Sequence, residues 1–193
     1  MQAAKQQLRQ QLSALCCSLS EEQRQTHSRH ITKFLIESTL FADAHNIALY
    51  WGLESLGEPS TAELLSRILD SGRCAFFPRM RGKTLEFCSI SHPSQLVTGP
   101  KGVQQPPCGA PVVDLSTLEL LIVPGLGFGP GGERLGRGGG YYDRILACSE
   151  LKAMTLGWAY SFQQIEEIPM SAHDCRVKGV ATERGIVLYP PAQ

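Results

Sequence analysis

At 193 residues, with 42% apolar and 19% charged side chains, the chain has the make-up of one globular domain with a substantial core. Its 18 Lys and Arg balance its 18 Asp and Glu, so no global field draws it toward nucleic acid or acidic lipid, and any anion site has to be local. No apolar run approaches the roughly 18 residues that span a bilayer, and the N-terminus lacks a secretory apolar core.

Residues 1–20 carry Lys5 and Arg9 and no acid, a composition shared with organellar transit peptides. The seven cysteines, Cys16 and Cys17 adjacent among them, form no C-x-x-C pair and no zinc-like spacing. They read as reduced core thiols, which places the chain in the cytoplasm.

Taken in order, residues 3–17 put Leu8, Leu12 and Leu15 on one stripe of an amphipathic helix. Lys5 and Arg9 share a face at i, i+4, and by spacing alone form a solvated basic edge. Ser20 with Gln23 makes a capping box for a helix to about residue 38 that turns Ile31, Phe34 and Leu35 inward. A buried strand is expected at 47–51, then a loop. Ser60 with Glu63 repeats the capping pattern ahead of a helix that Gly72 ends. Strands follow at 74–78 and 85–90. The Gly82-Lys83-Thr84 run between them is a hairpin turn, since Phe77 stands where a phosphate-binding loop needs its first glycine. Residues 91–117 form a long surface connection with a helical turn near 93–96. A central strand at 118–123, a helix from 140 to 148 and strands at 154–160 and 182–189 complete the chain. Strands alternating with helices give an α/β fold: a three-layer α/β/α single domain, residues 1–193, with a largely parallel sheet.

The strand at 118–123 stops at Pro124 and opens into GLGFGPGGERLGRGGGYYDR, which holds nine of the 19 glycines. Each ordered glycine costs about 0.5–1 kcal/mol relative to alanine, so such a loop suits close backbone approach by an anion better than it suits stability. Gly127, Gly129 and Gly132 satisfy G-x-G-x-x-G, but loop rather than an apolar helix follows, so a dinucleotide fingerprint is rejected. The single Arg137-to-Arg144 run resembles an RGG segment, a minor alternative in a neutral chain. The third reading is a nucleotide or phosphate loop at a helix N-terminus, with Arg134 and Arg137 adding charge. Asp143 there suits Mg²⁺, and equally suits the helix dipole. Tyr141 and Tyr142 either stack on a ring or pack in the core.

The motif P-G-L-G-F-x-x-x-G-x-R-L-G-x-G-x-G-Y-Y-D, standing here at residues 124–143, closely resembles the signature of the 5-formyltetrahydrofolate cyclo-ligase family. The resemblance extends to K-x-x-x-R (Lys5, Arg9), to E-x-x-T (Glu58, Thr61), to F-x-P-R (Phe76, Arg79) and to the chain length. It implies ATP- and Mg²⁺-dependent cyclisation of 5-formyltetrahydrofolate, with or without a polyglutamate tail, to 5,10-methenyltetrahydrofolate, with release of ADP and phosphate. Lys5 and Arg9 would reach the ATP phosphates, which sets aside the transit-peptide reading. Arg134, Leu135, Gly136, Arg137, Gly138, Gly139, Gly140, Tyr141 and Tyr142 would wrap ATP. Arg137, Gly138, Gly139, Gly140 and Tyr141 would also touch the folate edge, Trp51 would line the pteridine pocket, and Asp143 would face Mg²⁺. Glu58, Arg134 and Arg137 are the expected catalytic residues. ATP would phosphorylate the formyl oxygen, and the neighbouring N10 would then close the ring, a step that proximity favours.

Two positions depart from the family pattern. Gly129 stands where many relatives have Asp after the Phe of G-L-x-F. Lys178 replaces the second acid of a C-terminal D-x-x-x-D that begins here at Asp174. The first departure is the one feature favouring a catalytically silent folate or nucleotide binder.

Overall fold

The computed structural model describes residues 1–190, the side chain of Lys101 apart. Three helices lead in, α1 (Gln2–Ser18), α2 (Glu21–Ile36) and the short α3 (Thr39–Ala42). Then come β1 (Asn46–Ala48), α4 (Ala62–Asp70) and the hairpin β2 (Cys74–Arg81) and β3 (Thr84–Ile90). Two short pairs follow, β4 (Val97–Thr98) with β5 (Gln104–Gln105), and β7 (Gly127–Phe128) with β8 (Arg134–Leu135), separated by the central β6 (Leu120–Pro124). The chain closes with α5 (Tyr141–Leu146), β9 (Met154–Trp158), β10 (Gly179–Thr182) and β11 (Gly185–Leu188).

Seven strands form one sheet in the order β11-β10-β9-β6-β1-β2-β3. Its five middle strands run parallel and only the edge strands β11 and β3 are antiparallel. Such a sheet needs cover on both faces, and the period-two alternation supplies it. Ile47, Leu120, Ile122 and Leu156 join Ile31 and Leu35 of α2 and Leu64, Leu65 and Ile68 of α4 on one face. Ala48, Leu121, Val123 and Phe76 join Phe128 and Ile145 of α5 on the other. Each fully buried Leu, Ile or Phe contributes about 1.5–3 kcal/mol. The layers are therefore α/β/α, with the second helical layer thin.

The Ser20 capping box forms, Gln23 N–H donating to Ser20 Oγ at 3.1 Å and Ser20 N–H to Gln23 Oε1 at 2.9 Å. The expected box at Ser60 does not. Thr61 is the cap residue of α4 and its hydroxyl turns inward to donate to the Tyr50 carbonyl, so a tertiary bond replaces the local one. Phe34 and Leu15 are exposed rather than core residues, because α1 buries only the narrower stripe Lys5, Leu12 and Cys16, and α2 meets the sheet through Ile31 and Leu35. The first strand ends at Ala48, and the strand expected at 182–189 is a hairpin with Glu183 and Arg184 at its turn. Its first arm, β10, begins with a glycine and offers only four residues, too short for a periodic signal.

Candidate functional site

In an open parallel sheet the carboxyl ends of the strands face the ligand crevice. Here Pro124 ends β6, and the 125–143 segment lies over it. Buried Gln163 holds the start of that segment, its amide donating to the carbonyls of Gly125 (3.0 Å) and Leu126 (3.1 Å). Arg134, the first residue of β8, donates to the Pro124 carbonyl at 3.1 Å and to Asp143 Oδ1 at 2.8 Å, so one guanidinium ties the start of the loop at 124 to its end at 143. Gly140, the cap residue of α5, sits at φ +66°, a left-handed conformation that a side chain would resist. Arg144 braces the same turn by donating to the Gly139 carbonyl at 3.0 Å.

Among the described residues, the backbone N–H groups of Gly136, Arg137, Gly138, Gly139 and Gly140 donate to no protein acceptor. Free amides ringed by arginines make an anion-binding concavity. Because α5 has only six residues, this property belongs to the loop and its arginines rather than to a helix dipole.

A cavity of about 260 Å³ opens beside the loop. Its lining combines Arg134, Arg137, Tyr141, Tyr142 and Asp143 and the glycine backbone with an apolar set, Tyr50, Trp51, Pro78, Met80, Leu85 and Val103. Glu58 lines the same cavity. Its Oε2 accepts from the Leu53 N–H at 2.9 Å, and its Oε1 faces Arg137. The 50–61 loop that aims it is tied down at both ends by the Thr61 bond to Tyr50 and by the Tyr50 hydroxyl donating to the Pro59 carbonyl at 3.3 Å. Trp51 packs on Phe77 with ring centroids 6.4 Å apart.

A model of the 5-formyltetrahydrofolate cyclo-ligase family matches residues 1–183. The chain belongs to that family. It is 28% identical to the mouse 5-formyltetrahydrofolate cyclo-ligase over 193 residues, covering 94% of each chain. It is 30% identical to the mitochondrial cyclo-ligase of Arabidopsis thaliana, covering 95% of this chain and 74% of that one. The solved structure of Aquifex aeolicus 5,10-methenyltetrahydrofolate synthetase superimposes with a TM-score of 0.85 at 29% identity, over 98% of this chain and 94% of that one.

Within this cyclo-ligase fold the expected site residues divide into three groups. Trp51, Glu58, Arg134, Gly136, Arg137, Gly138, Gly139, Gly140, Tyr141, Tyr142 and Asp143 surround the one cavity. Arg9 approaches the loop from α1, donating from Nε to the Gly136 carbonyl at 2.9 Å and lying against Gly138. Lys5 and Leu135 stand apart from the cavity. Leu135 is 2% exposed and packs with Leu12, Leu126 and Ile168, leaving only its backbone for the loop. Lys5 is 5% exposed, and its ammonium bonds Ser171 Oγ at 2.9 Å and pairs with Asp174.

The 171–177 segment is what sequence reasoning missed. Asp174 holds Lys5, the Cys175 thiol donates to the Asp143 carbonyl at 3.4 Å, and Arg176 donates to the Gly131 carbonyl at 3.0 Å. One stretch thus fastens α1, α5 and the glycine loop together. Burial would raise the Asp174 carboxyl, but bonds from Lys5 and Ser171 hold it below its ordinary value. The D-x-x-x-D pattern that begins at Asp174 gives none of these partners, since each contact goes to a different element. Lys178 lies at the opposite end of the sheet, its ammonium donating to the Ala153 carbonyl at 2.7 Å.

Gly129 also finds its explanation. A Cβ built there would meet Glu133 Oε2 at 2.6 Å. That carboxylate accepts from the Gly131 N–H at 2.8 Å and pairs with Arg176 at 2.7 Å, so an acid orders the turn from position 133 instead.

Among the described residues, no helix is long and apolar enough to cross a membrane, and no group of three His, Cys, Asp or Glu is gathered to cage a metal. All seven cysteines are unpaired. Burial pushes the Cys16 thiol up to about 11, which keeps it protonated and unreactive at neutral pH.

Proposed function

We propose that the chain closes 5-formyltetrahydrofolate into 5,10-methenyltetrahydrofolate at the expense of ATP, releasing ADP and phosphate. The observation that carries this reading is the shared cavity, whose lining brings together free loop amides, Arg134 and Arg137, an apolar set with Trp51, and Glu58.

The two sets of lining groups suit the two halves of the reaction. Phosphoryl transfer needs positioning and charge neutralisation more than covalent chemistry, and the amides of Gly136, Gly138, Gly139 and Gly140 with the two arginines offer both. Arg9 adds a cation from α1. The apolar set accepts the pterin, with Tyr141 in the same lining. A formamide oxygen leaves poorly, so its phosphorylation gives N10 a carbon with a good leaving group. Ring closure then gains from proximity, because N10 already belongs to the same molecule. Glu58 orients the formyl group and stabilises cationic character as the methenyl bridge forms, and no proton transfer is assigned to it.

The residues present fit a magnesium ion held mainly by phosphates, as that metal usually is. Asp143 lines the cavity and uses Oδ1 on Arg134, which leaves Oδ2 for a hard cation. Bound there, the ion would supply charge neutralisation to the phosphates. Lys5 acts on this site indirectly, by fixing α1 and so the reach of Arg9. The unpaired thiols fit a reducing compartment, and the cytoplasm is the expected location.

The test is purified protein with 5-formyltetrahydrofolate, ATP and Mg²⁺, following methenyl product by near-UV absorbance. An ATP-dependent rise supports the reading; binding of either ligand without product sinks it in favour of a silent binder. That alternative rested on Gly129, and Glu133 supplies a carboxylate at the same place.

A further inference from the structure

Buried hydrogen-bonding groups in folded proteins are almost always paired, and each exception calls for a cause. Among the described residues four buried side-chain polar atoms lack a partner: Thr32 Oγ1, Tyr160 Oη, Arg134 Nε and Tyr142 Oη. The last two belong to neighbouring residues of the cavity wall, with the Arg134 guanidinium 5.8 Å from the centre of the Tyr142 ring. Elsewhere Arg134 bonds Pro124 through one Nη and Asp143 through the other, and its side chain is 4% exposed. The two unmet groups therefore belong to residues that line the same cavity.

Their chemistry narrows what they would meet. Arg134 Nε–H is a donor only. Burial pushes the Tyr142 phenol up, followed by the smaller opposing pull of Arg134 and push of Glu58, so it keeps its proton at neutral pH. A pair of donors calls for an acceptor, and an oxygen is the usual one. The lining also includes Tyr50, Trp51, Pro78 and Met80, an apolar set that suits a flat ring rather than a phosphate chain. The oxygen thus comes with the ring-bearing ligand, and it sits close enough to Glu58 for that carboxylate to act on Tyr142.

We propose that the Tyr142 hydroxyl, beside Arg134 Nε, donates a hydrogen bond to the formyl oxygen of 5-formyltetrahydrofolate and thereby selects folates that carry an oxygen on the N5 substituent. This inference rests on the proposed function, since the formyl group is that reaction's substrate. It makes Tyr142 a substrate contact and specificity determinant, beyond packing or stacking.

The test is Tyr142→Phe in the full chain, with affinities for 5-formyltetrahydrofolate and for 5-methyltetrahydrofolate measured by calorimetry. The methyl compound keeps the bulk at N5 and lacks the oxygen. Expected are a loss of about tenfold for the formyl compound, the usual weight of one hydrogen bond, and no change for the methyl compound. KM for ATP stays within twofold, and the melting temperature stays level or rises, because an unpaired buried hydroxyl has been removed. Equal losses for both folates would mean ring packing only, and no loss for either would mean a trapped water; each overturns the inference. A clear fall in melting temperature would do the same by making the hydroxyl structural. If the wild type forms no methenyl product yet the variant loses formyl binding selectively, the contact stands and the reaction falls. If the wild type turns over and the variant matches it, the reaction stands and the contact falls.

Discussion

The Arg137 guanidinium grips a single Glu58 oxygen with two donors, Nε and an Nη nitrogen, each at 2.8 Å. The pair joins the 54–58 turn to the glycine loop, and the proposed function gives each partner another task, Arg137 on phosphate and Glu58 on folate. Nucleotide that draws Arg137 away frees Glu58 for the second ligand. A non-hydrolysable ATP analogue is therefore expected to tighten 5-formyltetrahydrofolate binding several-fold, within the usual range for coupled sites. Arg137→Ala abolishes that coupling. Titrations of folate with and without the analogue check this, and equal affinities in the wild type would refute it.

Lys5 and Asp174 form a pair with side chains 6% and 21% exposed. Removing one partner of a buried pair leaves an uncompensated charge, at a cost of about 3–5 kcal/mol. Asp174→Ala strands the more buried partner, Lys5, with only its bond to Ser171, and is expected to cost at least about 3 kcal/mol. For a chain of this size that is a fall in melting temperature of roughly 6–12 °C. Arg9→Ala makes no such hole, and is expected to raise KM for ATP more than KM for folate. Thermal melts and steady-state kinetics separate the two effects.

The same pair sets an acid limit. The Asp174 carboxyl is held below its ordinary value of 3.8, so its contribution is complete above that pH and is lost as pH falls through the lower folded value. From pH 7 to 5 this contribution stays constant. As pH falls through that lower folded value the carboxyl takes up a proton and α1 loses its tether. Proteolysis at α1 as a function of pH reports the release, which Asp174→Asn should show already at pH 7.

Gly129 and Glu133 exclude one another. Gly129→Asp sets a carboxylate against Glu133, and Glu133→Gly removes the acceptor of the Gly131 N–H, so each alone is expected to lower kcat/KM about five- to tenfold. The double change moves the carboxylate across the turn and recovers most of the loss. A double-mutant cycle with purely additive effects would count against the exchange.

The layers, the parallel centre of the sheet and the glycine loop at the end of β6 were legible in the sequence because each repeats a period or concentrates an unusual residue. The pairing of Ser20 with Gln23 was legible because both ends lie within one turn. Thr61 was not, since its bond to Tyr50 depends on how a loop folds back. Arg134, Arg137, Glu58 and Trp51 were visible by resemblance and share one cavity. The partners that hold Lys5 and Asp143 were hidden because Asp174 and Cys175 lie far along the chain in a segment with no periodicity. Leu135 was assigned to the ligand on position in the motif, while its side chain follows the alternation of β8 into the core.

The 171–177 segment has a further consequence for a chain being made. Contacts between Lys5 and Asp174 link residues 169 apart in sequence, and such long-range closures form late. Synthesis proceeds at about 5–20 residues per second, so α1 is finished many seconds before its anchor leaves the ribosome. A nascent chain truncated before residue 171 would carry the whole glycine loop, Glu58 and Trp51, yet lack the fastening that aligns α1 with them. Full affinity for nucleotide would then arrive only with the last part of the chain, so that a half-made enzyme leaves ATP alone.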